Sequence, residues 1–171
     1  MEFEKPLNSY KYIIYTDGAC SSKTKKGGFA TIIFTSDDRF IYYANYQDNT
    51  TNNQMELYGI LKAYAWCYKY QVKEALIYSD SAYCVNMLND WIYKWAGNGW
   101  RKVDNKPIKN LELVQLAFGF IKAFPQIKVA KIAGHSGEVG NELADALASN
   151  NKAKFDKLVS DNKLTGICVN E

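Results

Sequence analysis

The sequence offers little that would build a zinc site, a disulfide framework or a membrane anchor. It has one histidine and four cysteines, and no two cysteines form a C-x-x-C pair. Zinc sites are usually built from clusters of Cys and His, so this class of site is disfavoured. The cysteines are predicted to be reduced thiols, which favours a cytoplasmic location. No apolar run approaches the length of a signal segment or a membrane span, so no membrane association is expected.

The chain also lacks a strong excess of charge. Its formal net charge is +3, so any surface that binds a polyanion must be local. A length of 171 residues fits one domain with a sizeable core. We predict a single domain over residues 1–171, with 1–9 as a polar leader and about 152–171 as a tail of weak pattern.

What the sequence does have is a hexamer that occurs twice. Ile14–Ala19 and Ile77–Ala82 each run as an apolar residue, Tyr, a hydroxyl residue, Asp and two small residues. Taken alone, Asp17 or Asp80 could simply cap the next element. If the two strands lie side by side and parallel, however, both carboxylates emerge together, and neighbouring anions resist ionisation unless a cation separates them. The repeat therefore predicts a metal site.

Hydrophobic periodicity predicts an α/β fold with helices on both faces of a mixed sheet. Three strands should form an antiparallel meander, and two later strands should be added in parallel through helical crossovers. Ligands of such sheets bind beyond the carboxyl ends of the parallel strands, where Asp17 and Asp80 would lie. The predicted strands are 10–16, 29–35, 40–46, 74–79 and 127–132, and the predicted helices are 51–70, 81–88, 108–124 and 141–149.

Two further acids occupy positions that should face inward. Glu56 begins a helical face that continues through Ile60, Ala63 and Cys67, and a buried Glu is rarely tolerated without a partner. Asp145 lies in an alanine-rich helix. Carboxylates without Cys or His suit Mg²⁺ or Mn²⁺. Two such ions roughly 3.5–4 Å apart can stabilise the attacking and leaving oxygens of a phosphoryl displacement.

His135 is the only histidine, in the glycine-flanked segment 134–137. A loop histidine is usually an ordinary surface residue. Because it lies ten residues before Asp145, it could also reach the site and move protons near neutral pH.

Aromatic and basic residues alternate in the segment 90–109. Trp91, Trp95 and Trp100 lie among lysines and Arg101, a combination that suits a nucleic-acid backbone. The alternative is that tryptophans four residues apart belong to the core.

Six motifs in order resemble those of type 1 ribonucleases H, and together they span nearly the whole chain. They are 15–20 (Tyr-Thr-Asp-Gly-Ala-Cys), 51–57, 79–81, Trp91–Trp95 with Trp100, 106–110, and 134–145. The resemblance implies a ribonuclease H-like fold with a five-stranded sheet. It also implies cleavage of the RNA strand of an RNA–DNA hybrid, leaving 5′-phosphate and 3′-hydroxyl ends.

The resemblance also implies roles for individual residues. Asp17, Glu56, Asp80 and Asp145 match ligands of two Mg²⁺ ions, with Mn²⁺ as a possible substitute, and His135 matches a residue that assists proton transfer or product release. A monomer is expected. The matching nucleic-acid contacts are Cys20, Asn52 and Asn53 with the RNA strand in the minor groove, Thr51 and Asn110 with a DNA phosphate, and Trp91 and Trp95 along the DNA strand.

The sequence departs from the family pattern at three places. Ala82 replaces a glutamine that contacts RNA, Ala96 and Gly97 replace lysines of a basic protrusion, and the segment 23–26 is lysine-rich instead of rich in Gly and Pro. We expect the first two to weaken substrate binding and the lysines to compensate through a phosphate contact. Two other functions are open: a non-catalytic nucleic-acid-binding module, and a DNA nuclease on the same fold.

Overall fold

A mixed sheet of six strands lies at the centre of the protein. The computed structural model describes residues 12–134 and 137–169. The strands are β1 (Tyr12–Cys20), β2 (Gly27–Phe34), β3 (Arg39–Gln47), β4 (Ala75–Ser79), β5 (Ile127–Lys131) and β6 (Thr165–Cys168). The helices are α1 (Asn52–Lys69), α2 (Ala82–Asn86), α3 (Ile92–Gly97), α4 (Leu111–Ala123), α5 (Val139–Ala148) and α6 (Lys152–Asp161), and a π-helical turn (Met87–Trp91) joins α2 to α3.

The strand order is β5-β4-β1-β2-β3-β6. β1, β2 and β3 form the predicted antiparallel meander. β4 lies parallel to β1, with Tyr15 opposite Tyr78 and Thr16 opposite Ser79, and β5 lies parallel to β4. The two copies of the hexamer are therefore neighbours in register, so Asp17 and Asp80, which follow the paired residues Thr16 and Ser79, lie side by side at the same end of β4.

Helix α1 covers one face of the sheet and begins where the sequence predicts. Thr51 is its N-cap and accepts a hydrogen bond from the backbone N–H of Gln54 at 3.2 Å. The predicted face of Glu56, Ile60, Ala63 and Cys67 is buried. A Cβ atom at Gly59 would lie 3.2 Å from a carbonyl oxygen of β2, so glycine permits the close approach of helix and sheet.

Two hydrophobic clusters cover the two faces of the sheet. The larger contains Ile14, Ile77 and most of the buried apolar residues of α1, together with residues of α2–α4. The smaller contains Ile32, Phe40 and the buried residues of α5, and Phe155 anchors α6 to it. This arrangement confirms the predicted sheet with helices on both faces. None of the helices in the described ranges has the length and apolar character needed to cross a bilayer.

The predicted count of five strands is wrong by one. β6 pairs in parallel with β3, with Ile167 opposite Ile41. The strand has only four residues, three of them exposed, so the sequence pattern there is too short and too polar to distinguish an edge strand from an irregular tail. The helix predicted to end at Leu88 also continues, through the π-helical turn, to Gly97.

Candidate active site

Three carboxylates converge where β4 ends beside β1. One carboxylate oxygen each from Asp17, Glu56 and Asp80 lies within 4.8 Å of the other two. Asp17 is 5% exposed and Glu56 is 7% exposed, so both are buried. The prediction that distant acids meet is confirmed for these three residues.

The local fold explains why they meet. Asp17 lies in β1 beside the end of β4, which precedes Asp80, and Glu56 lies in the first turns of α1. Gly18 makes the approach of α1 possible, because a Cβ atom there would lie 2.3 Å from the backbone nitrogen of Glu56. No side chain larger than hydrogen fits that gap without a shift of backbone.

Burial and mutual repulsion disfavour the charged forms of all three acids. Burial, with the charge of Asp80, raises the pKa of Asp17 to about 7. Burial, with the charge of Asp17, raises the pKa of Glu56 to about 10. Burial also raises the pKa of Asp80, and the charge of Asp145 adds to the effect. These shifts follow from placing several acids together in a poorly solvated pocket.

Hydrogen bonds fix the orientation of the cluster. Asp17 Oδ1 accepts from the backbone N–H of Gly18 at 2.9 Å, and Glu56 hydrogen-bonds Asp17. Ser79 Oγ donates to Glu56 Oε2 at 3.4 Å and accepts from the backbone N–H of Ser81 at 3.1 Å. The carboxylates are therefore pre-oriented before any ligand arrives.

The donor set fits a hard divalent cation. Three convergent carboxylates supply only oxygen ligands, which Mg²⁺ and Mn²⁺ prefer. Burial and neighbouring carboxylates raise the pKa values of Asp17 and Glu56, so the cluster disfavours holding all three negative charges without a cation. A cation bound between the three would remove that repulsion.

Asp145, the fourth predicted ligand, lies at the margin of this cluster. Among the described residues the tight group contains only Asp17, Glu56 and Asp80. The carboxylate of Asp145 instead accepts a hydrogen bond from Lys154 Nζ at 3.1 Å. Its charge still raises the pKa values of Asp80 and Asp17, so Asp145 faces the same site from α5.

The predicted catalytic histidine, His135, lies outside the described residues. The residue before it, Gly134, approaches the cluster closely. A Cβ atom at Gly134 would lie 3.6 Å from Asp80 Oδ2. Gly134, three residues after the end of β5, therefore lies beside Asp80.

The predicted RNA contacts Cys20, Asn52 and Asn53 lie close together beside Thr51, which is predicted to bind a DNA phosphate. Cys20 ends β1, and its thiol donates to the carbonyl oxygen of Thr50 at 3.3 Å. Thr51 caps α1, and Asn52 and Asn53 are its first two residues. Thr51 and Asn52 are exposed, whereas Cys20 and Asn53 are half-buried. The structure thus brings these residues to one surface next to the carboxylates.

The predicted DNA contacts are less alike in exposure. Trp91 is half-buried and packs edge-on against Tyr83, whereas Trp95 is only 8% exposed and belongs to the core. Asn110 precedes α4 in the left-handed conformation with φ 57°, which asparagine adopts more readily than most residues. Its side chain makes no capping hydrogen bond.

Three residues of the site were not predicted from the sequence. Ser79 orients Glu56, Lys131 lowers the pKa of Asp80 through its charge, and Lys154 pairs with Asp145. Ser79 is part of the repeated hexamer, so it could have been found there. Lys131 pairs in register with Ser79 only once β5 is placed beside β4. No sequence pattern joins Lys154 to Asp145, because they lie on different helices.

Comparisons with known proteins give one consistent result. The family model for RNase H matches residues 9–153. The ribonuclease H of Orientia tsutsugamushi (strain Boryong) is 35% identical over 160 residues, which cover 92% of this chain and 92% of that protein.

Solved structures agree on the fold. LC9-RNase H1, a type 1 RNase H with the type 2 active-site motif, matches with a TM-score of 0.72 at 19% identity, over 97% of this chain and 89% of that one. A foamy viral protease-reverse transcriptase in complex with RNA/DNA hybrid matches with a TM-score of 0.72 at 18% identity, over 88% of this chain and 21% of that one. The family resemblance and the prediction of an enzyme are confirmed: the chain belongs to the ribonuclease H family of endonucleases.

Proposed function

We propose that the protein hydrolyses the RNA strand of RNA–DNA hybrids in a reaction that depends on Mg²⁺, leaving 5′-phosphate and 3′-hydroxyl ends. The observation that carries the proposal is the convergence of three carboxylates within 4.8 Å at the edge of the sheet. Membership of the ribonuclease H family supports the choice of substrate.

Asp17, Glu56 and Asp80 would hold the metal, with Asp145 as a further ligand from α5. Each of the three clustered acids must be deprotonated to do so, and a bound cation lowers their raised pKa values. When bound, divalent ions stabilise the attacking and leaving oxygens of an in-line displacement. The protein supplies a rigid cradle, because Asp17 and Glu56 are buried and hydrogen-bonded.

Other residues would bind and position the hybrid. Cys20, Asn52 and Asn53 lie next to the carboxylates and would contact the minor-groove face of the RNA strand, where 2′-hydroxyls distinguish RNA from DNA. Thr51 and Asn110 would bind a DNA phosphate, and Trp91 would line the DNA strand, with Trp95 supporting it from the core. His135 would assist proton transfer or release of the product. The foamy viral relative in complex with RNA/DNA hybrid supports a hybrid as the substrate.

A direct test is to offer three labelled duplexes to the purified protein: RNA–DNA hybrid, RNA duplex and DNA duplex. With Mg²⁺ we expect cleavage of the hybrid alone, in its RNA strand, with 5′-phosphate products. EDTA should stop the reaction and Mn²⁺ should restore it. Cleavage of the DNA duplex instead would identify a DNA nuclease, and binding without cleavage under all conditions would identify a non-catalytic module.

The matched control is Asp80→Asn, which keeps the shape of the side chain but removes the anion that the cation requires. We expect it to bind hybrid and to leave it intact. A fully active Asp80→Asn protein would contradict the proposal.

We also propose that the protein acts as a monomer in the cytoplasm. Light scattering of the purified protein and fractionation of cells that express it test these two points.

A further inference from the structure

Lys154 places a positive charge at the margin of the carboxylate cluster. Its Nζ lies 3.1 Å from Asp145 Oδ2 and 3.3 Å from Glu142 Oε2. About a third of each of the Lys154 and Asp145 side chains is exposed. The two hydrogen bonds raise the pKa of Lys154, so the residue remains a cation at neutral pH.

The fold fixes the position of Lys154. Asn151 caps α6 and accepts from the backbone N–H of Lys154 at 3.1 Å. The next residue, Phe155, is 3% exposed and packs against Tyr42 with ring centroids 5.1 Å apart. A cap and a buried anchor therefore hold the backbone on both sides of Lys154, so its side chain can reach α5 at small entropic cost.

The acid that Lys154 contacts is electrostatically linked to the cluster. The charge of Asp145 raises the pKa values of both Asp17 and Asp80. A cation at Asp145 therefore acts on the same field that would attract a divalent ion. It also occupies Oδ2 of Asp145 through a hydrogen bond of 3.1 Å, so this oxygen is not free for another cation.

We propose that Lys154 is an internal counter-cation that competes with Mg²⁺ for Asp145 and so sets the Mg²⁺ concentration at which the site fills. The inference rests on the proposed function, because it assumes that the cluster binds Mg²⁺. Lys154 touches no reacting atom and is a positioning residue: its hydrogen bond to Oδ2 holds the carboxylate of Asp145 at the margin of the cluster.

The test measures Mg²⁺ affinity by calorimetry, without substrate, in the full chain. Lys154→Gln removes the charge but keeps most of the side-chain length, and we expect it to bind Mg²⁺ roughly three- to fivefold more tightly, as for the loss of a partly exposed ion pair. Lys154→Arg keeps the charge and should bind Mg²⁺ within about twofold of the wild type.

Two further variants separate this role from a general change of charge. Lys152→Gln removes one positive charge from the same helix at a residue that pairs with Asp156 instead, and its Mg²⁺ affinity should match the wild type. In the Asp145→Asn background, Lys154→Gln should no longer change the affinity, because the contested carboxylate is absent.

The outcomes distinguish the competition between Lys154 and Mg²⁺ from the proposed function. If the wild type binds Mg²⁺ and cleaves hybrid, but Lys154→Gln binds Mg²⁺ equally or more weakly, the competition is refuted and the proposed function stands. If Lys152→Gln tightens binding as much as Lys154→Gln, the effect is only net charge and the inference is again refuted. If the wild type binds no Mg²⁺, both claims fail together.

Discussion

The two parts of the acidic site balance their charge in opposite ways. Asp17, Glu56 and Asp80 are packed together, and burial raises the pKa of each. Asp145 is more exposed and has a lysine at 3.1 Å. In the first group the charge of Lys131 opposes the mutual repulsion of the carboxylates by lowering the pKa of Asp80, whereas Asp145 forms an ion pair with Lys154. The protein therefore holds four acids at one site by packing three of them together and pairing the fourth with a lysine.

The largest expected difference between the two parts is in catalysis. Asp17→Asn should reduce cleavage of hybrid by about 10³-fold or more, because a ligand to the metal contributes several kcal/mol of transition-state stabilisation. Asp145→Asn should cost less, about 10- to 100-fold, because water can replace one ligand of Mg²⁺ at an exposed position. Steady-state rates at saturating Mg²⁺ measure both. Equal losses would show that the two parts act as one.

The next comparison is structural and disturbs only the packing around the three clustered carboxylates. Gly18→Ala places a Cβ atom 2.3 Å from the backbone nitrogen of Glu56, so we expect a loss of about 2 to 4 kcal/mol in the free energy of unfolding. Gly119→Ala is the matched control in α4, where nothing lies within 4 Å. That substitution should be neutral or stabilise the protein by up to about 1 kcal/mol. Urea unfolding measures both, and a stable Gly18→Ala protein would show that α1 and β1 need not touch.

The third comparison is the pH dependence of stability without metal. The pKa of an Asp side chain in the unfolded protein is about 4. In the folded protein, burial raises the pKa of Asp17 to about 7. Between these values the folded state binds the extra proton, so the contribution of Asp17 to the free energy of unfolding falls as pH rises.

Asp17→Asn removes this penalty. In EDTA the free energy of unfolding of the variant should be close to that of the wild type at pH 5. At pH 8 it should be larger than that of the wild type by about 1 to 3 kcal/mol. Urea unfolding at the two pH values measures the difference. A wild type that is more stable than the variant at pH 8 would contradict the electrostatic account of the cluster.

The smallest expected effect concerns lysines that, unlike Lys154, form no ion pair with the described residues. Lys23, Lys25 and Lys26 are exposed on a loop that Ser21 orders by accepting from the backbone N–H of Thr24 at 3.2 Å. If each neutralises one phosphate, changing all three to Gln should reduce the salt dependence of hybrid binding by up to about 0.9 per lysine in the log–log slope.

The control for this test removes three lysines of the α6 region, at positions 152, 157 and 163. Two of them already pair with aspartates, Asp156 and Asp161. We expect the slope to remain unchanged in that variant. The same reduction in both variants would mean that only net charge matters.

The sequence was sufficient to predict most of the site, because its key distances follow from strand register. The hexamers that contain Asp17 and Asp80 have the same pattern. Pairing them in register as parallel strands brings the two carboxylates together at the same end of the strands. The helical face that begins at Glu56 predicts that this acid points at the sheet. Local periodicity and the rules of parallel sheets thus determine three of the four acids.

The features that could not be predicted depend on contacts between separate helices and strands. Hydrophobic periodicity within one element carries no information about such contacts. The ion pair of Lys154 with Asp145 depends on how α6 packs against α5, which the anchor Phe155 decides. The sixth strand is added to the sheet because the chain returns along β3 after α6, and its four residues have no strong pattern of their own. The burial of Trp95 depends on the packing of α3 and could not be distinguished from an exposed stacking role.

The most direct test of the central claim counts the protons released when Mg²⁺ binds. Glu56, with a pKa raised to about 10, and Asp17, with a pKa raised to about 7, must lose protons to become ligands. Calorimetry at pH 7 in two buffers of different ionisation enthalpy should therefore show release of about one to two protons per protein, and about one fewer in Glu56→Gln. A heat of binding that does not depend on the buffer would show that Mg²⁺ does not bind at these carboxylates.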